Sequence, residues 1–226
     1  PAEALYGVQT LRGIENFSIS KFRLSEYPLF IKGLAITKMA AAMANFELGL
    51  LTVEQKDAII AACGEILDGK HHDQFPVDMI QGGAGTTTNM NANEVIANRA
   101  LELMGHERGE YHYCSPNDHV NCSQSTNDAY PTAIHIGMYY THLKLVKHFK
   151  EVIDAFRRKG EEFAHVIKMG RTQLEDAVPM TLGQTFNGFA SILQDEVKNL
   201  DFAAQDFLTV NMGATAIGTG ITAEPE

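Results

Sequence analysis

The sequence lacks clustered positive charge and long apolar runs. Its 226 residues carry 18 basic and 28 acidic side chains, which gives a formal net charge of −10. Proteins that bind nucleic acids neutralise phosphates with clustered lysine and arginine, so this balance argues against that class. A membrane-spanning helix needs roughly 18 consecutive apolar residues. No run in the sequence approaches that length, so we expect no transmembrane span.

Cysteine is also scarce. Cys63, Cys114 and Cys122 are an odd number of thiols without C-x-x-C spacing. This pattern is typical of free thiols in a reducing cytoplasm and argues against a disulfide framework or a zinc site. No signal peptide is visible, and a chain that starts at Pro1 leaves open what precedes it. The sequence therefore favours a cytoplasmic location.

What is present is a helical pattern. Two capping boxes, at Thr52 with Gln55 and at Thr181 with Gln184, mark the starts of helices. The predicted helices cover residues 34–48, about 53–68, 91–104, about 129–159 and about 182–210. The last two are much longer than the average helix of about 11–12 residues and need packing partners along their whole length. Residues 1–30 are predicted to be irregular, Gly160 to end the fourth helix, and no strand pattern is found. The fold class is therefore all-α, with an elongated bundle of long helices.

Three polar stretches interrupt the helices. They are Gln81–Asn89, Ser123–Asp128 and Met169–Pro179. The second places Ser, Thr, Asn and Asp directly before a predicted helix, where free backbone N–H groups and the helix dipole favour an anion. The first has three glycines that let a ligand approach the backbone, but it is neither a P-loop nor a dinucleotide fingerprint. An ordinary cap and a flexible connection are the alternative interpretations of these two stretches.

A fourth group, His71, His72 and Asp73, has metal-ligand chemistry. Adjacent side chains on a helix or strand diverge, so they rarely ligate one ion together. A solvated loop is the preferred interpretation, and we predict no metal there.

Several motifs together resemble the aspartase/fumarase superfamily. They are Tyr6–Phe17, Gly83–Ile96, Asn117–Asn121, Ser123–Asp128, Gly170–Pro179 and Asn211–Gly220, in that order along nearly the whole chain. Within the superfamily the residues are most similar to the aspartate ammonia-lyases. Fumarases usually carry Thr-His in the region where this sequence has Thr172-Gln173. Glu175 departs from the more usual Gln, with no predicted effect.

The resemblance implies an all-α enzyme that removes ammonia from L-aspartate to give fumarate, with no metal or organic cofactor. It implies an N-terminal helical domain at 1–123 and the first part of a central helical bundle at 124–226, as in the N-terminal half of a family member. By resemblance Thr86, Ser125 and Thr126 hold the β-carboxylate, Asn127 and Gln173 meet the amino group, and Thr172 meets the α-carboxylate. Family members are homotetramers whose active sites combine stretches from three subunits. The family's signature loop, which carries the expected base serine, has no match here and is expected beyond Glu226.

Two alternatives remain open at this point. One is a class II fumarate hydratase or another lyase of the superfamily, such as argininosuccinate lyase. The other is a non-catalytic structural or assembly paralogue that keeps the fold, as some lens crystallins do. A further alternative concerns Gln173 alone, which in that interpretation only braces its loop.

Overall fold

The computed structural model describes residues 2–81 and 83–224. Gly82, one of the glycines in the stretch Gln81–Asn89, lies outside the described residues, as do Pro1, Pro225 and Glu226. The helices are α1 (Val8–Asn16), α2 (Pro28–Glu47), α3 (Val53–Leu67), α4 (Thr86–Leu103), α5 (Thr126–Glu162) and α6 (Leu182–Ala203), and the strands are β1 (Ile167–Thr172) and β2 (Glu175–Thr181). Helices dominate the described part of the chain, which confirms the all-α class.

The chain forms two compact units, and helix α5 contributes to both. The first contains the described part of residues 1–138 and of 209–226, and the second contains residues 139–208. This division reflects packing within one copy of the chain. The domain boundary between residues 123 and 124 therefore remains a prediction.

The core of the first unit lies between α2, α3 and α4. Ile59 and Cys63 of α3 and Val95 and Ile96 of α4 are completely buried. The predicted capping box opens α3, since the Thr52 side chain accepts a hydrogen bond from the Gln55 backbone and the Gln55 side chain accepts one in return. These contacts fix the start of a helix that contributes Ile59 and Cys63 to this core.

Helix α2 is a core helix of the first unit. It has the length and the mean hydropathy, 1.3, of a membrane-spanning helix, and 56% of that stretch is buried within the fold. Ile31, Leu34 and Ala35 on this helix belong to the same apolar cluster as α3 and α4. The helix starts at Pro28, six residues before the predicted start, because proline is well tolerated in a first helical turn.

The prediction that residues 1–30 are irregular is wrong. Helix α1 forms there, and the Glu94 carboxylate of α4 satisfies the free donors at its start. Glu94 accepts from the backbone N–H groups of Gly7, Gln9 and Thr10 at 2.9, 2.9 and 3.0 Å and from the Thr10 hydroxyl at 2.6 Å. A cap supplied from so far along the chain leaves no local signal in the sequence.

The second unit consists of most of α5, a β-hairpin and α6. Its core is small: Val146, Ile153, Ala190 and Val197 are buried, with half-buried phenylalanines beside them. Strands β1 and β2 pair antiparallel, with Ile167 opposite Thr181 and Thr172 opposite Glu175. The expectation of no strands is therefore wrong over residues 167–181, where short exposed strands lack the alternation of a half-buried sheet.

The prediction that Gly160 ends the long helix is wrong. Gly160 lies inside α5, which continues to Glu162. A Cβ atom at Gly160 would lie 2.3 Å from the Asn187 side chain, and one at Gly183 would lie 2.4 Å from the Gly160 carbonyl oxygen. The glycines thus allow α5 and α6 to approach closely. Helix α6 ends at Ala203, earlier than predicted, and is followed by a 3₁₀ turn over Ala204–Leu208.

Candidate active site

The start of helix α5 carries three of the predicted substrate-binding residues, Ser125, Thr126 and Asn127. The Ser125 N–H donates to Asp128 Oδ1 at 2.9 Å, and the Asn127 N–H donates to Ser125 Oγ at 3.2 Å. This reciprocal pairing is close to that of a capping box and fixes the first turn. The prediction that the stretch lies at the positive end of a helix dipole is confirmed.

The start of helix α4 brings Thr86 into the same region of the first unit. This helix begins at Thr86, five residues before the predicted start, so the end of the glycine stretch is helical and not a flexible loop. Gly85 has φ 84°, and a Cβ atom there would lie 2.6 Å from the Tyr130 ring of α5. Only glycine therefore lets the start of α4 lie against α5. Thr86 is exposed.

Asn89, one turn further along α4, connects the two helix starts. Its Nδ2 atom donates to the Thr126 hydroxyl oxygen at 3.2 Å. The structure thus brings together Thr86, Ser125 and Thr126 at two neighbouring helix N-termini, which both favour negative charge.

The loop that follows the second unit is held against the start of α5. The Asn127 side chain donates from Nδ2 to the Ala216 carbonyl oxygen at 2.8 Å, and the Thr215 N–H donates to Asp128 Oδ2 at 2.9 Å. Asp128 is completely buried, and each of its carboxylate oxygens accepts a hydrogen bond from a backbone N–H group. With Nδ2 of Asn127 committed to Ala216, its Oδ1 remains as an acceptor.

A buried lysine lies behind the start of α5. Lys38 of α2 has no exposed surface, and its Nζ atom donates to Asn121 Oδ1 at 2.8 Å and to Gln124 Oε1 at 2.9 Å. Burial lowers the pKa of Lys38 to about 7, while the negative charge of Asp128 acts in the opposite direction. Lys38 is not among the predicted site residues, since a lysine among apolar residues of a helix is its only local signal.

Thr172 and Gln173 belong to the second unit. Thr172 is the last residue of β1, and Gln173 forms the hairpin turn together with Leu174, which has φ 62° and is 98% exposed. Thr172 and Gln173 are both exposed. The structure therefore presents these two predicted residues at a hairpin tip of the second unit, whereas the other four belong to the first unit.

The histidines at 71 and 72 are engaged in structural contacts. His71 Nε2 lies 2.7 Å from Glu65 Oε2, and His72 Nε2 lies 2.9 Å from the Ile66 carbonyl oxygen. Over residues 2–81 and 83–224, no group of three or more His, Cys, Asp or Glu side chains is arranged to hold a metal ion.

The first unit also contains a cavity of about 440 Å³ between α2, residues 122–124, α5 and residues 210–224. Its lining includes the alanines 40, 41 and 44, Ile36 and Ile136. None of the six predicted substrate-binding residues is among the described residues that line it. Its lining is mainly apolar, so the helix starts, which present polar donors, are the better candidate for an anion site.

Two neighbouring helix starts present neutral donors within a predominantly helical fold. The protein-family model described as a lyase matches residues 1–226, and the chain belongs to that family. The chain is 58% identical to an aspartate ammonia-lyase of Pseudomonas canavaninivorans over 226 residues, and 57% identical to that of Escherichia coli K12 over 227 residues. All of the chain is covered in both comparisons, and it spans about half the length, 48%, of these curated relatives.

Solved structures agree with the fold. The fumarate lyase:delta crystallin from Brucella melitensis bound to cobalt matches with a TM-score of 0.94 and 52% identity, over 100% of this chain and 49% of that one. A class II fumarase from Schistosoma mansoni matches with a TM-score of 0.90 and 38% identity, over 100% of this chain and 47% of that one.

Proposed function

We propose that the complete protein is an aspartate ammonia-lyase, which eliminates ammonia from L-aspartate to give fumarate and catalyses the reverse addition. The observation that carries this proposal is the pair of neighbouring helix starts with the neutral donors Thr86, Ser125 and Thr126. The names of the relatives at 57–58% identity support the same reaction.

The chemistry explains why such donors matter. Removal of a proton from the carbon beside the β-carboxylate places additional negative charge on that carboxylate. Donors aimed at the growing charge stabilise the transition state more than the ground state. In this proposal Thr86, Ser125 and Thr126 hold the β-carboxylate, and the two helix dipoles add positive potential.

The amino group requires acceptors. Asn127 Oδ1 is left to accept because Nδ2 donates to Ala216. Gln173 supplies a second amide oxygen in this proposal, and Thr172 meets the α-carboxylate. We assign no base within this chain, and the serine of a further loop is proposed to take the proton. No metal or organic cofactor is assigned to the reaction.

The proposal extends to assembly and location. The second unit leaves large apolar side chains exposed, including Ile192 at 61% and Phe202 at 82%. Such surface is typical of a face that packs against other protein. We therefore propose a homotetramer. Because its cysteines are free thiols, we propose that it is located in the cytoplasm.

The test is to purify the complete protein and follow fumarate absorbance with aspartate and with malate. We expect turnover of aspartate with release of ammonia, and very little turnover of malate. Comparable turnover of malate would favour a fumarate hydratase, and turnover of neither would favour a structural paralogue. The 226-residue chain alone is expected to be inactive, and a normal rate from it would overturn the assignment of the base.

A further inference from the structure

A chain of hydrogen bonds links the buried Lys38 to the hydroxyl of Thr126. Lys38 Nζ donates to Asn121 Oδ1 at 2.8 Å, and Asn89 Nδ2 donates to the same oxygen at 3.1 Å. The Asn89 amide then reaches Thr126 Oγ1 at 3.2 Å. Lys38 and Asn89 are 0% and 2% exposed, so water does not compete at these atoms. This series of hydrogen bonds connects α2, the segment before α5, helix α4 and the first residue of α5.

The direction of each bond in this chain is set by its neighbours. Asn121 Nδ2 donates to the Gln124 carbonyl oxygen at 3.2 Å, and a carbonyl oxygen can only accept. Asn121 Oδ1 is therefore turned toward Lys38 and Asn89. Facing an acceptor, Asn89 must present its NH₂ group, and the second N–H of that group points to Thr126.

The protonation state of Lys38 does not change this direction. Burial lowers the pKa of Lys38 to about 7, against the effect of Asp128, so both the ammonium and the amine form exist near neutral pH. An ammonium has three N–H donors and an amine has two, which is enough for Asn121 and Gln124.

We propose that Lys38, Asn121 and Asn89 are positioning residues that fix the Thr126 hydroxyl as a hydrogen-bond donor toward the substrate carboxylate. The inference rests on the proposed function for the identity of that carboxylate. A hydroxyl that accepts from Asn89 has its own proton left to donate. Within residues 2–81 and 83–224 we find no acceptor that takes this proton, so it is available to a ligand.

The arrangement has a catalytic consequence. A hydroxyl that rotates freely must be oriented during each reaction, whereas one already oriented stabilises the growing charge without reorganisation. Asn89 and Lys38 touch no substrate in this scheme and act through Thr126.

The experiment reverses the bond at Asn89 in the complete protein. In Asn89→Asp the carboxylate only accepts, so the Thr126 hydroxyl must turn to donate to residue 89. Asn93→Asp is the matched control, because Asn93 also donates to Asn121 Oδ1, at 3.2 Å, and the variant adds the same charge one turn along α4. Both variants are made in the wild-type and in the Thr126→Val background.

We expect Asn89→Asp to lower kcat for aspartate about 100-fold or more, the usual effect of losing one such donor. The loss of kcat in Asn93→Asp is expected to be at least tenfold smaller. In the Thr126→Val background the kcat values of the two variants should differ by no more than about threefold. A difference of the same size in both backgrounds would overturn the proposal. If Asn89→Asp does not fold, Asn89→Ala replaces it: its kcat loss should disappear in the Thr126→Val background, and a loss that persists there overturns the proposal.

Calorimetric binding of succinate separates this inference from the proposed reaction. If the wild-type protein binds succinate but does not release ammonia from aspartate, the proposed reaction is wrong. The inference then stands if Asn89→Asp weakens succinate binding only when Thr126 is present. A protein that neither binds succinate nor turns over aspartate overturns both.

Discussion

The two compact units differ in how they are stabilised. The first has a deep apolar core in which residues such as Ile59 and Ile96 have no exposed surface, whereas the second has the small core of Val146, Ile153, Ala190 and Val197. Burial of apolar surface is the main favourable contribution to folding. The first unit therefore contains most of its own stabilising contacts, and we expect the second to depend on contacts from further protein.

The largest effect is expected from a charge on the exposed apolar face of the second unit. Ile192→Glu in the complete protein should abolish the proposed homotetramer, because an unpaired charge in an interface costs several kcal/mol. Light scattering should show smaller species. Ser191→Glu, at a neighbouring exposed position of α6, is the control and should leave the assembly intact. If the assembly stays intact with Ile192→Glu, the second unit does not depend on contacts made through this face.

A core substitution tests the first unit directly. Ile96→Ala should lower the free energy of unfolding by about 2–5 kcal/mol, through lost transfer energy and a residual cavity. Val53→Ala, at a position that is 56% exposed, should change it by less than about 0.5 kcal/mol. Urea denaturation at several protein concentrations measures both. Equal costs would show that the first unit does not depend on this core.

Gln173→Ala tests whether the second unit contributes to the site. Loss of the amide oxygen should reduce kcat/KM for aspartate by a factor corresponding to about 1–3 kcal/mol, the cost of an unpaired buried polar group. Gln205→Ala, which removes another exposed amide of the same unit, should have little effect. An unchanged kcat/KM with Gln173→Ala would mean that the residue only braces its turn.

The smallest effect concerns an ion pair of the first unit. Arg99 Nε and Nη2 donate to Glu65 at 2.6 and 2.8 Å, and these hydrogen bonds from Arg99, with weaker help from His71 and against partial burial, lower the pKa of Glu65 from 4.5 to about 2. A lowered acid pKa stabilises the fold above the unfolded pKa, and that contribution is lost as pH falls from about 4.5 toward about 2.

We therefore expect Glu65→Gln to lower Tm at pH 7, and the difference from wild type to shrink by pH 3. Glu47→Gln, at an exposed position of α2, is the control and should show no such trend. A difference in Tm that grows on acidification would contradict the assigned ion pair.

The sequence predicted the features that depend on residues close together along the chain. Both capping boxes are present, at Thr52 and at Thr181, because each pairs residues only three positions apart. Helix α1 was missed because its cap, Glu94, lies 84–87 residues away from the groups it binds. Lys38 was missed for the same reason, since Asn121 lies 83 residues further along the chain.

The candidate site divides in the same way. The residues at the start of α5 were identified from their capping chemistry and from the family resemblance. The hairpin that carries Thr172 and Gln173 was interpreted as an irregular link, because its exposed strands have no apolar alternation. Which donor faces which acceptor, as at Asn89, depends on tertiary contacts that no local pattern contains.

The buried Asp128 carboxylate has a consequence for the timing of synthesis. Its Oδ2 atom accepts a hydrogen bond from the N–H of Thr215, which lies 87 residues later in the chain and is therefore synthesised later. At about 5–20 residues per second, a ribosome needs roughly 4–17 s to make that stretch. During this interval helices α1 to α4 have been translated, but Asp128 lacks the partner of its Oδ2 atom. The start of α5 is therefore completed only after the whole second unit has been translated.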